Sequence, residues 1–131
     1  MALGKPAQQQ ARAILLVDDD RQFLALSQEL LEHLGFQVVT AATGDQALAL
    51  FQQRHQEIDL VIMDLNLPFL DGYQVLNRFK NLAPSVKIIV ISGFFGQEEE
   101  ARLKAAGAAG MIAKPFRAQQ LQEAITQVLR I

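Results

Sequence analysis

Four polar positions each close an apolar run, and together they could do chemistry. Asp18, Asp19 and Asp20 end the stretch ILLVDDD (14–20), and Asp64 ends DLVIMD (59–64). Ser92 ends KIIVIS (87–92), and Lys114 ends GMIAK (110–114). Three adjacent carboxylates repel one another, so something must offset the charge. A lysine at the end of a buried run is costly unless it is paired, and its ammonium could reach a carboxylate on a neighbouring strand. Gathered carboxylates call for a cation. Hard oxygen ligands suit Mg2+, which keeps several waters and takes one or two carboxylates plus substrate phosphate. Zinc fits poorly, because there is no cysteine and the two histidines, His33 and His55, fall in different helical segments. A solvated helix face accounts for both.

Helix capping explains only part of this acidic set. One of Asp18, Asp19 and Asp20 is expected to cap the helix that follows. Asp64 has no such use. In DLNLPFLDGYQVL, Pro68 and the Asp71-Gly72 pair keep the chain open for several residues, and Asp71 is the better cap. Asp64 is left free at a strand end.

The elements that must position these residues alternate regularly. Strand-length apolar runs occur at 13–17, 37–41, 60–64, 87–92 and 110–114. Most are near-continuous in apolar residues, as in strands covered on both faces. Amphipathic stretches separate them. Residues 20–34 space Phe23, Leu26, Leu30 and Leu34 as one helical face, with Gly35 as the terminator. Residues 43–54 open with TGDQ, a Thr-x-x-Gln capping box, and carry Ala47, Leu50 and Phe51. Residues 71–81 carry Val75, Leu76 and Phe79; residues 97–106 start with an acidic turn and stop at Gly107; residues 117–130 carry Leu121, Ala124, Ile125 and Val128. The β-α unit repeated in this way predicts an α/β fold, a doubly wound five-stranded parallel sheet with helices on both faces. Sites in such sheets lie beyond the strand C-termini where strand order reverses. The polar residues above sit at that edge.

The 131 residues, half of them hydrophobic, a fifth charged and with net charge -2, suit one domain with a sizeable core. No basic stripe points to direct nucleic-acid binding. The apolar runs are too short to cross a bilayer, so no membrane partner is expected. The start has no apolar signal region. The lack of cysteine fits a cytoplasmic protein. Residues 1–11, with Gly4, Pro6 and a glutamine run, read as a flexible tail, and 12–131 as the domain.

The pieces ILLVDDD (14–20), DLVIMDLNLPFLDGYQVL (59–76), KIIVISG (87–93) and AGAAGMIAKPF (105–116), in this order and spacing, resemble the receiver domains of two-component response regulators, including the single-domain chemotaxis type. The resemblance covers residues 12–131. It implies a flavodoxin-like fold with strand order 2-1-3-4-5. It implies that Asp64 is the phosphoacceptor, taking a phosphoryl group from a sensor histidine kinase or a histidine phosphotransfer protein. Asp19, Asp64 and the backbone carbonyl of Asn66 resemble the direct Mg2+ ligands, with Asp18 a further acidic ligand acting mostly through water. Ser92 resembles the hydroxyl residue that meets the phosphoryl oxygen. Lys114 resembles the lysine that pairs with Asp64, and Lys114-Pro115 the family's cis peptide. Such a chain is a signalling switch acting on a downstream protein, not an enzyme beyond its own phosphoryl transfer and dephosphorylation. A dimer would use the face of the fourth and fifth helices.

Three features depart from the usual pattern. Met111 stands three positions before the lysine, where many receivers have an aromatic residue. Phe94 and Phe95 follow Ser92 in GFFGQEEE. They are read either as core under the fourth helix or as an exposed contact or lid near the site. Phe94, like Asn66, occupies a position that tunes dephosphorylation in the family, and slow self-dephosphorylation is expected. The last helix runs out at Ile131, so the chain is either a stand-alone receiver or one excised from a longer DNA-binding regulator or hybrid kinase. Two other readings compete: a receiver-like binding module that works without phosphorylation, and a Mg2+-dependent phosphatase with Asp64 as nucleophile. The small chain and the lack of a general acid near Asp64 weigh against the phosphatase.

Overall fold

The computed structural model describes residues 12–131; the expected tail at 1–11 lies outside the described residues. Strands and helices alternate as β1 (Ala13–Val17), α1 (Arg21–His33), β2 (Gln37–Ala41), α2 (Gly44–Arg54), β3 (Ile58–Asp64), α3 (Gly72–Leu82), β4 (Lys87–Ser92), α4 (Gln97–Ala105), β5 (Gly110–Ala113) and α5 (Ala118–Leu129). The strands form one parallel sheet in the order β2-β1-β3-β4-β5. The order reverses beside β1, so β1 and β3 are neighbours at the centre.

Period-two alternation divides the core. Leu15, Val17, Val61, Met63, Ile88 and Val90 point to one face and pack with Ala47 and Phe51 of α2, Val75, Leu76 and Phe79 of α3 and Leu103 of α4. Ile14, Leu16, Leu60, Ile62, Ile89 and Ile91 point to the other and pack with Leu24 and Leu31 of α1 and Leu121 and Ile125 of α5. Covering both faces removes the need for polar alternation, which is why the central strands read as unbroken apolar runs.

Helix α1 corrects the expected face. Its buried residues are Leu24, Ser27 and Leu31, whereas Leu26 is 62 % exposed. Phe23 and Leu30 lie half-buried at the flank of the same core. The apolar pattern of α1 is wide enough to permit two orientations, and docking against β1 selects one. The expected Thr43 cap is present, with its hydroxyl accepting from the Gln46 N–H at 3.0 Å. The reciprocal Gln46 bond goes one residue further out, to the Ala42 N–H at 2.8 Å. Gly35 takes φ +102°, as a helix terminator requires. His33 is exposed and His55 is half-buried beside Phe51. No described helix is long and apolar enough to cross a membrane.

Candidate functional site

Register carries the polar residues to one edge. Val17 of β1 lies opposite Met63 of β3, so the next residues, Asp18 and Asp64, leave the sheet side by side. Ser92 lies opposite Ala113, and the Lys114 N–H donates to the Ser92 carbonyl at 2.7 Å. The Lys114-Pro115 peptide bond is cis.

Two matching local turns orient the central carboxylates. Asp18 Oδ1 accepts the N–H of Asp20 at 2.9 Å, and Asp64 Oδ1 accepts the N–H of Asn66 at 2.8 Å. Each aspartate spends one oxygen on the backbone two residues on, as short acidic side chains do in turns. The second oxygens face a common point. Lys114 Nζ meets Asp18 Oδ2 at 2.9 Å and Asp64 Oδ2 at 3.2 Å. Asp20, not Asp18 or Asp19, caps α1, its Oδ1 accepting the N–H groups of Gln22 and Phe23. Asp71 caps α3, accepting from the Tyr73 N–H at 2.9 Å, which frees Asp64 as expected. Gly72 lets α3 begin tight against the Asp64 loop, since a Cβ there would overlap the Leu65 carbonyl oxygen.

One carboxylate oxygen each from Asp18, Asp19 and Asp64 lies within 4.8 Å of the others. Asp18 and Asp64 are buried and Asp19 is exposed. Around Lys114 two carboxylates share one ammonium, so the trio carries excess negative charge. Burial raises the pKa of Asp18, and the charge of Asp64 adds to the rise; the Asp20 N–H and Lys114 oppose it without cancelling it. Burial alone would lower the pKa of Lys114, but the pull of Asp18 and then of Asp64 outweighs it, and the net shift is upward. Both shifts favour the protonated form, for different reasons: burial disfavours the Asp18 carboxylate, and two carboxylates hold the proton on Lys114.

Ser92 joins this set indirectly. Its hydroxyl accepts from Asn66 Nδ2 at 3.3 Å and donates to the Phe94 carbonyl at 3.1 Å. The two phenylalanines after it part company: Phe94 is 74 % exposed, whereas Phe95, like Met111, is partly buried against the core. Sequence reading missed the bond from Lys114 to Asp18, which is shorter than the one to Asp64. It also missed Phe23, whose ring lies 4.6 Å from Lys114 Nζ, and fully exposed Phe69, held at φ +69° in the loop after β3. The only sequence signal for Phe23 was its position in the first turn after the acidic cluster.

Residues 14–126 match the family described as the response regulator receiver domain. The transcriptional regulatory protein ZraR of Salmonella typhimurium is 34 % identical over 116 residues, which cover 88 % of this chain and 26 % of ZraR. The chain therefore spans about a quarter of that relative's length. Sporulation initiation phosphotransferase F of Bacillus subtilis is 30 % identical over 116 residues, covering 88 % of this chain and 92 % of that protein. The crystal structure of a response regulator receiver domain protein from Clostridium thermocellum superposes with a TM-score of 0.85 at 30 % identity, covering 90 % of this chain and 94 % of that one.

Proposed function

Because this chain belongs to the response regulator receiver domain family, we propose that it is a phosphorylation-dependent switch of a two-component system. Asp64 takes a phosphoryl group from a phosphohistidine on a sensor histidine kinase or a histidine phosphotransfer protein, and the output passes by contact to a downstream protein. The observation that carries this reading is Lys114 bridging Asp18 Oδ2 and Asp64 Oδ2.

The chemistry follows from charge. A carboxylate is a weak nucleophile toward phosphorus because both groups are negative, so positioning and electrostatics dominate. The Asn66 N–H fixes one Asp64 oxygen and leaves the other facing Lys114. A lone pair of Asp64 forms the new O–P bond while the donor's N–P bond breaks, its electron pair remaining on the imidazole nitrogen. Lys114 offers its charge to the arriving phosphoryl oxygens. Ser92, once it releases the Phe94 carbonyl, offers a hydroxyl proton beside it.

The side-chain donors suit a hard divalent cation, with one carboxylate oxygen each from Asp18, Asp19 and Asp64 within 4.8 Å of the others. Asp18, Asp19, Asp64 and the backbone carbonyl of Asn66 would hold Mg2+. When bound, the ion supplies charge neutralisation and alignment for the transferring group.

Intact-mass spectrometry after incubation with acetyl phosphate and Mg2+ tests the reading. The expected result is a gain of one phosphoryl group, lost in Asp64→Asn and without the metal. No gain by a folded, Mg2+-loaded chain would overturn it.

A further inference from the structure

Lys114 has a third neighbour that the proposed reaction does not use. Two directions of its ammonium are taken by Asp18 Oδ2 and Asp64 Oδ2. In another lies the face of the Phe23 ring, with its centroid 4.6 Å from Nζ. Phe23 is itself fixed by an edge contact with Phe116, the ring centroids 5.8 Å apart and the planes at 89°. Phe116 follows Lys114 by two residues on the loop after β5, and Phe23 lies in the first turn of α1, directly beyond the Asp20 cap. The two rings thus tie the segment carrying the lysine to the helix that follows the acidic cluster.

We propose that Phe23 is a positioning residue for Lys114, its ring face keeping the ammonium turned toward Asp18 and Asp64. The inference rests on the phosphoacceptor reading of Asp64. The physical case is one of competition. The Lys114 side chain is 30 % exposed, enough for water to draw the ammonium outward. A carboxylate or hydroxyl in the place of Phe23 would bind the ammonium and compete with the site for its charge. An aromatic face attracts a cation through its quadrupole yet accepts no full hydrogen bond. It excludes water on that side and leaves the positive charge available to an incoming phosphoryl group.

The test uses the full chain with phenylalanine at position 23 replaced by analogues bearing one, two or three ring fluorines, alongside Phe23→Leu. Each fluorine weakens the ring-face potential with little change in packing. Two readouts are taken. One is the rate of phosphorylation by acetyl phosphate and Mg2+. The other is the NMR shift of the Lys114 ε-methylene protons, identified by the loss of their signal in Lys114→Arg. The expected result is a rate that falls stepwise with fluorine number, by about threefold over the series, at unchanged thermal midpoint. The ε-methylene protons are expected to resonate upfield in the wild type and to return to the ordinary lysine position in Phe23→Leu. A flat rate across the series, or an ordinary wild-type shift, would overturn the proposal. A wild-type chain that gains no phosphoryl group but keeps the upfield signal would defeat the phosphoacceptor reading and support the pairing of Phe23 with Lys114.

Discussion

The hydroxyl of Ser92 donates to the backbone carbonyl of Phe94 at 3.1 Å. The residue beside the acidic cluster thereby restrains the loop that carries an exposed aromatic ring. A phosphoryl oxygen on Asp64 that took the Ser92 proton would release that carbonyl. Phe94 follows Ser92 by two residues with its ring 74 % exposed, and the expectation of slow self-dephosphorylation makes that ring a hindrance to water at Asp64. Phe94→Ala is expected to shorten the half-life of the phosphorylated state at least about threefold, equivalent to roughly 0.7 kcal/mol on the hydrolysis barrier. Following the decay of the phosphorylated mass with time measures it. An unchanged half-life would remove the lid role.

Stability should depend on pH through Asp18. Burial, helped by Asp64, raises its folded pKa above the unfolded value. Between those two values the native state binds more protons than the unfolded chain, so stability falls as pH rises through that window. The metal-free chain is expected to lose stability from the ordinary aspartate range upward, and Asp18→Asn is expected to flatten that slope. For Lys114 the raised folded pKa means that its contribution is complete below the unfolded value and is lost as pH rises through the folded one, at the alkaline end. Urea midpoints across pH in the presence of a chelator check both slopes.

Mg2+ should act in the opposite direction to this excess of negative charge. A ligand that binds only the folded chain stabilises it by about 1.4 kcal/mol at ten times its dissociation constant. A rise of the thermal midpoint with Mg2+ is expected in the wild type, with the titration displaced to higher metal in Asp19→Asn. Equal response in the two proteins would remove Asp19 from the ligand set.

Phe69 combines full exposure with φ +69°. The left-handed region costs a bulky residue about 1–2 kcal/mol, and Asn tolerates it better. No burial offsets that cost here. Phe69→Asn is expected to stabilise the chain by about 0.5–1 kcal/mol in urea unfolding.

The face of α1 can be tested by a pair of identical truncations. Leu31→Ala empties a site of zero exposure and should cost about 2–5 kcal/mol. Leu26→Ala removes an exposed side chain and should change stability by less than about 0.5 kcal/mol. Comparable costs would restore the face that spacing alone predicts.

The sequence by itself determined the alternation of elements, the parallel sheet and the polar residues closing four of the five runs. Those follow from short-range rules: apolar runs too short for buried helices, caps and glycine terminators, and the crossover geometry of β-α units. It also singled out Asp64 as an aspartate with no capping duty, because Pro68 and Asp71 lie between it and α3. Tertiary structure alone decided which side of α1 faces inward, since Leu24, Leu26, Leu30 and Leu31 support more than one stripe. It decided that Phe95 packs inward and Phe94 outward, because neighbouring rings in a loop carry no period. It decided, too, that Lys114 meets Asp18 more closely than Asp64 and lies over Phe23. Those contacts join residues 96, 50 and 91 positions apart (114 − 18, 114 − 64 and 114 − 23). No local pattern encodes such distances; they arise only when register sets β1, β3 and β5 at one edge and the two helical layers fold over it.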